Sequence, residues 1–115
     1  MAKREVIQIP GFSRRVKELI RAHKLKEENF ETFKSVLAEH PEMGDVIQGT
    51  GGVRKARLRS ASKGKSGGFR VCYYFLDVGT GRVYLLTIYS KNEKEDLSAN
   101  EKKELKELVN VIKRK

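Results

Sequence analysis

The sequence predicts an α+β fold: a small, twisted, mainly antiparallel sheet made of an N-terminal strand and a three-stranded meander, packed by an N-terminal helical hairpin and a C-terminal helix. Three observations lead to this fold. Apolar residues recur at helical spacing in two early stretches and again at the end of the chain. They alternate with polar residues in three consecutive stretches between residues 54 and 89. Glycine, proline and aspartate mark the places where the period changes. At 115 residues the chain has the size of one domain, residues 1–115, and nine aromatics within a 38% apolar fraction suffice for a core despite 35% charged residues.

Taken in order, Val6 to Ile9 is a β-branched strand closed by Pro10-Gly11, and its partner must be distant because helices follow it. Ser13 is the expected cap of a first helix whose apolar face carries Val16, Leu19, Ile20 and His23. A second helix runs from about Glu27 to His40, with Phe30, Phe33, Val36 and Leu37 on one stripe, and Pro41 stops it. Gly49-Thr50-Gly51-Gly52 lacks the Gly-Lys-Ser/Thr spacing and following helix of a nucleotide-phosphate loop, so it reads as a turn. From Arg54 to Ser60, Lys55, Arg57 and Arg59 share one face, and Arg54, Ala56, Leu58 and Ser60 share the other. The next strand, Phe69 to Asp77, sets Arg70, Cys72, Tyr74 and Leu76 against Phe69, Val71, Tyr73 and Phe75. A hairpin turn over residues 77–81 leads to the last strand, Val83 to Tyr89. Ser98 and Glu101 have capping-box spacing before a helix striped by Leu105, Leu108, Val109 and Ile112.

Charge narrows the function. The net charge is +10, and residues 53–70 hold seven basic residues and no acidic one. Such a stripe fits a polyanion, nucleic acid first. No apolar run reaches the roughly 18 residues of a membrane span, and Met1 to Glu5 is not followed by a signal-type apolar core, so a cytoplasmic protein without a membrane partner is expected. The single cysteine, Cys72, cannot form an intrachain disulfide and is expected to pack as a small hydrophobe. No metal or other cofactor is expected: His23 and His40 fall on separate helices, Cys72 has no CxxC partner, and no Ser-His-Asp or Cys-His set is present. The remaining chemistry is that of clustered cations. Lys and Arg side chains bind phosphates and can stabilise a pentavalent phosphorane. From charge alone, binding without cutting stays open. Tyr74 is placed to stack a base on the cationic face, whereas Phe69, Tyr73 and Phe75 are core candidates.

Three blocks carry a family resemblance: Gly49-Thr50-Gly51-Gly52-Val53-Arg54-Lys55, then Gly64 to Val71 continuing through Tyr73-Tyr74-Phe75, and Tyr84 to Glu93. Together they resemble the RelE superfamily of type II toxin–antitoxin toxins, most closely the HigB-type branch, over residues of about 44 to 98. The resemblance implies a RelE-like fold. It also implies a ribosome-dependent endoribonuclease that cleaves translated messenger RNA by attack of a 2′-hydroxyl on the adjacent phosphate, without a metal. Lys55 and Arg57 match the family's basic pair on the first meander strand, Arg70 its phosphate-gripping arginine, and Lys91 its basic position after the last strand. Arg54, Arg59, Lys63, Lys65 and Tyr74 are the expected RNA or ribosome contacts. Asn92 stands where well-studied members have arginine, and Ser98 where some have a tyrosine. Lys55, Lys91 and Glu93 are therefore the candidates for the base, with Lys55 first because Arg57 beside it favours its neutral form. The implied partners are messenger RNA on the ribosome, small-subunit ribosomal RNA and a cognate antitoxin of helix-turn-helix type, which alone would contact operator DNA. A gyrase-poisoning toxin on the same scaffold, or an inactive RNA- or antitoxin-binding module, are the alternatives.

Overall fold

The computed structural model describes residues 4–61 and 68–114. In chain order the elements are β1 (Glu5–Gln8), α1 (Pro10–Arg21), α2 (Glu27–Glu39), β2 (Asp45–Val46), β3 (Arg54–Arg59), β4 (Gly68–Leu76), β5 (Arg82–Ser90) and α3 (Ala99–Lys113). Among the described residues the strands form one mixed sheet in the order β1-β5-β4-β3-β2. The expected α+β architecture is therefore present. β3, β4 and β5 form the antiparallel meander, and β1 runs parallel to β5, from Glu5 opposite Arg82 to Gln8 opposite Leu85. A parallel pairing needs a long connection, which the helices and the meander supply.

Several local boundaries differ from the sequence expectation. α1 starts at Pro10 rather than after Ser13, because proline at the first helical position gives up only an N–H that would be unpaired there anyway. This start carries Phe12 into the core at 2% exposure. His23 lies beyond the helix at φ +59° and is exposed rather than on the apolar face. The Lys24 N–H closes the helix end on the Leu19 carbonyl at 2.9 Å. In α2, Val36 turns to solvent and Ala38 takes its place in the core. β2 is an extra strand, two residues long, too short to leave a periodic signal; it pairs Asp45 with Lys55 and Val46 with Arg54. The α3 capping box forms as expected: Ser98 Oγ accepts the Glu101 N–H at 3.1 Å, and Glu101 Oε1 accepts the Ser98 N–H at 2.8 Å.

The glycine-rich segment is a structural turn. Gly49, Gly51 and Gly52 take φ of +83°, +78° and +115°, which L side chains avoid. Thr50, fully buried between them, donates its hydroxyl to the Ile47 carbonyl at 2.6 Å and accepts the Val53 N–H at 3.0 Å. Its polar atoms are committed internally, which sets the entry of β3.

Each sheet face has its own core. α1 and α2 press Phe12, Val16, Phe30 and Leu37 onto Ala56, Leu58, Phe69, Val71 and Tyr73. α3 presses Leu105, Val109 and Ile112 onto Val53, Cys72, Tyr74, Leu86 and Tyr89 on the other side. β4 is thus buried on both faces. A bulge reconciles its register with β5: Cys72 pairs with Thr87 and Tyr73 with Leu85, so Leu86 is an extra residue. Leu86 and Tyr89, three apart, then share one core, a spacing that strict alternation forbids. Tyr73 also holds the 41–44 turn: its hydroxyl donates to the Pro41 carbonyl at 2.8 Å and accepts the Gly44 N–H at 2.9 Å.

Candidate nucleic-acid interface

Register decides which cations meet. Arg57 on β3 lies directly opposite Arg70 on β4, which lies opposite Tyr89 on β5. One step along the same face, Lys55, Cys72 and Thr87 form a second row. The α3 core occupies this face around Cys72, Tyr74 and Tyr89, and the cations border it: Arg57 and Arg59 exposed, Lys55 and Arg70 half-buried.

Gly68, at the start of β4, opens the space into which the two arginines reach. A Cβ on Gly68 would lie 3.3 Å from Arg70 Nη1 and 3.9 Å from Arg57 Nη2. The guanidinium heads therefore converge over a bare backbone. Like charges directly opposed across strands destabilise a sheet. Among the described residues, none of Lys55, Arg57, Arg59, Arg70 and Lys91 takes part in an ion pair, although five other basic residues do. An anion placed between Arg57 and Arg70 relieves that repulsion and accepts paired, charge-assisted hydrogen bonds.

Two groups beside the cluster are silenced by burial. Burial pushes the Cys72 thiol up to about 12, against the pull of Lys55 and Lys94, so it stays protonated and unreactive at neutral pH. Tyr89 is likewise pushed up to about 12 by burial, and nearby Arg70 only partly offsets it. Its hydroxyl is buried without a hydrogen-bond partner among the described residues. The Lys94 ammonium sits 5.1 Å from the Tyr89 ring centre and pairs with Glu101.

The other expected site residues are placed as follows. Lys91 is exposed in the turn after β5 and lines a cleft that also contains Gly68. Glu93 Oε1 accepts from the Ser90 N–H at 3.0 Å and from Arg15 Nη2 at 2.7 Å. Burial raises its pKa, but the Ser90 N–H and Arg15 outweigh that and hold it below the ordinary carboxylate value. Glu93 is therefore an anion and a poor proton acceptor. Arg54 lies on the opposite face and is engaged by the 41–44 turn, donating to the Gly44 carbonyl at 2.8 Å and the Glu42 carbonyl at 3.2 Å. Tyr74 is 8% exposed beneath α3, so the base stacking expected of it has no open ring face. Its strand was expected to have one buried face, and α3 buries the second. Lys63 and Lys65 lie outside the described residues. Arg15, which pairs with Glu93 across 78 positions, had no local sequence signal, whereas Gly68 stood out only as half of a glycine pair before Phe69. Among the described residues no three His, Cys, Asp or Glu side chains form a metal-binding group.

A mixed sheet with a helical pair on one face, one helix on the other, and converging arginines beside that helix is an α+β domain compatible with a RelE-like fold. Comparison with protein-family models agrees: residues 12–114 match the RelE toxin of the RelE / RelB toxin-antitoxin system. The chain belongs to the RelE toxin family and is the toxin of a toxin–antitoxin system. No helix among the described residues is long and apolar enough to cross a membrane.

Proposed function

We propose that this protein, a single RelE-like domain of the HigB-type branch, is a ribosome-dependent endoribonuclease that cleaves messenger RNA during translation and so halts growth. The observation that supports it most is the opposed pair Arg57–Arg70, without an ion pair among the described residues and converging over Gly68. A phosphodiester seated there presents its two non-bridging oxygens to two guanidinium forks. As the 2′-oxygen attacks the adjacent phosphorus, charge grows on those oxygens, and fixed donors aimed at them lower the barrier. The new bond is O2′–P and the broken bond is P–O5′, leaving a 2′,3′-cyclic phosphate and a free 5′-hydroxyl. The 2′-hydroxyl proton passes to a base, and a proton is delivered to the departing 5′-oxygen.

Lys55 is the base we favour: it lies two residues, roughly 7 Å, along the same strand face from Arg57. We assign protonation of the leaving oxygen to Lys91, which lines the cleft that also contains Gly68. Arg59, with Lys63 and Lys65, supplies contacts to messenger or small-subunit ribosomal RNA. The antitoxin, of helix-turn-helix type and bound to its operator DNA, would silence the toxin by covering this cationic face. Action at the ribosome makes the cytoplasm the working compartment.

Inducing the wild type in bacteria and mapping messenger 5′ ends tests this reading, with Arg70→Ala as the control. Cleavage within translated frames that disappears in the variant is the expected result. Growth arrest with intact messenger would instead indicate a gyrase-directed toxin, and neither effect a binding module. Ribosome binding is expected to weaken steeply with salt, since each phosphate contact releases counterions.

A further inference from the structure

The chain has a second centre of positive charge besides the stripe at 53–70. Residues 10–26 hold six basic side chains and one acidic one, and residues 27–45 reverse the balance with six acidic residues and one lysine. α1 and the turn behind it are therefore strongly cationic, next to an acidic α2. The helix sorts these charges by face. Phe12, Val16 and Leu19 point into the core, and Arg14, Lys17 and Arg21 stand three and four residues apart on the opposite side, all exposed. They form one ridge, roughly 10 Å along the helix axis, with Lys24 and Lys26 exposed just past its end.

Among the described residues none of these five cations takes part in an ion pair, whereas Arg15, one position from Arg14, turns aside to Glu93. That pair fastens α1 to the turn after β5, so the ridge sits on a helix held by its core stripe and by an ion pair as well. Like charges at this spacing destabilise a helix slightly, and a polyanion laid along them relieves the repulsion. The ridge differs in kind from the Arg57–Arg70 cluster. It belongs to the layer on the other face of the sheet, so the two surfaces meet different segments of nucleic acid. The aromatic residues of α1 and α2, Phe12, Phe30 and Phe33, are all buried. A surface for single strands stacks their bases on such rings, whereas a base-paired helix turns its bases inward and presents phosphates to a rigid row of cations.

We propose that the outer ridge of α1 is a docking surface for the phosphate backbone of base-paired RNA, separate from the cluster that holds the strand to be cut. The proposal rests on the RNA-cleaving reading for its biological role, but the binding it asserts can be measured without cleavage. Acidic α2 borders the ridge and repels the same backbone, so the RNA helix lies along α1 and away from α2. Within one scaffold, a paired helix on α1 and a single strand at Arg57 and Arg70 reinforce each other through effective concentration. A free single strand engages only the cluster, which gives the requirement for the ribosome a physical source.

The test measures binding of the purified protein to a fully paired RNA hairpin and to an unstructured single strand of equal length, across a salt series. The triple variant Arg14→Gln, Lys17→Gln, Arg21→Gln keeps helix propensity, because glutamine is a good helix former. Its ratio of hairpin to single-strand affinity is expected to fall about tenfold, and its salt slope for the hairpin by about two to three. A second triple variant, Lys103→Gln, Lys106→Gln, Lys113→Gln, removes the same charge from exposed positions of α3 and is expected to hold that ratio within about twofold. Both are checked for unchanged thermal unfolding. In the wild type, the hairpin is expected to shift the backbone amide signals of Lys17 and Arg21, and the single strand those of Arg57 and Arg70. Equal losses in the two triple variants, a ratio unchanged in the α1 variant, or hairpin shifts confined to β3 and β4 would each overturn the proposal. Loss of antitoxin binding with hairpin binding intact would give the ridge to a protein partner and overturn it as well. Hairpin binding that depends on α1 in a protein that never cleaves messenger would uphold the docking surface while sinking the nuclease reading.

Discussion

The two faces of the sheet are built from the same strands and put to different uses. Beneath α1 and α2, β3 and β4 present Ala56, Leu58, Phe69, Val71 and Tyr73, none more than 6% exposed. Beneath α3 they present Cys72 and Tyr74 and then, beyond the helix, Lys55, Arg57 and Arg70. The first face is core except at its margins, where Arg54 is tied to the 41–44 turn and a cleft opens beside Leu19 and Phe69. The second is core for part of its length and, for the rest, a cationic surface with no ion pair at Lys55, Arg57 or Arg70 among the described residues, because α3 and its apolar stripe cover only the first part. A charged cluster that must meet a polyanion stays in water, where its desolvation is not demanded by folding. The remaining apolar burial carries the stability.

The largest test of this contrast is paired core truncation. Leu37, fully buried on the helical-hairpin side, is expected to lose about 2–5 kcal/mol on replacement by alanine. Leu105→Ala, at 7% exposure under α3, is expected at the low end of that range, as urea unfolding would read. Equal losses would show the two cores to be equivalent.

Removing a site cation should separate activity from stability. Arg70→Ala is expected to lower messenger cleavage at least a hundredfold, about 2.7 kcal/mol of transition-state stabilisation. Its urea midpoint should hold or rise, since the variant also removes a like-charge pair. A protein that unfolds on this change would make Arg70 a structural residue.

Two tyrosines sharpen the comparison at smaller scale. Tyr73→Phe strips the Gly44 N–H and Pro41 carbonyl of a buried partner and is expected to destabilise by about 1–3 kcal/mol. Tyr89→Phe removes a buried hydroxyl that has no partner among the described residues, so stability should be unchanged or slightly higher. Thermal unfolding of both variants side by side reads the difference, and a destabilised Tyr89→Phe would reveal a partner for that hydroxyl.

The remaining effects are on pH, and they involve both sides of the sheet, Glu93 beside α1 and Glu101 and Cys72 beside α3. Glu93 and Glu101 are both held below the ordinary 4.5, Glu93 against its own burial by the Ser90 N–H and Arg15, Glu101 chiefly by Lys94 and the Ser98 N–H. Their contribution is complete above that value and is lost as pH falls through the depressed values. At the alkaline end, Cys72 titrates ordinarily at 9.0 but is pushed to about 12. Between those values the unfolded chain releases a proton that the folded chain keeps, so stability falls as pH rises. The urea midpoint of Cys72→Ala is expected to fall less steeply than that of the wild type over this window.

Much of this was legible in the sequence because it rests on local periods. Alternation placed Lys55, Arg57 and Arg59 on one face of β3, and Ser98 with Glu101 announced α3 through a contact only three residues apart. Tyr74 shows where that reading stops: alternation assigned its face correctly but could not say that α3 would cover it. Arg54 was visible as a charge, yet its partners, the Glu42 and Gly44 carbonyls, come from a turn whose position Tyr73 sets from across the fold. The β5 bulge leaves no mark on the local pattern either, since either neighbour of an apolar run can be the extra residue.

Local sequence sufficed for the principal elements, though not for β2, and for the cationic face and the family, because hydrophobic period, capping chemistry and charge runs act between residues close in the chain. Long-range packing was needed to set Arg57 against Arg70, to bring both over Gly68, and to carry Arg15 to Glu93 beside the adjoining cleft. These pairings depend on register and on the packing of distant elements, and their free energy exists only once the whole chain has folded.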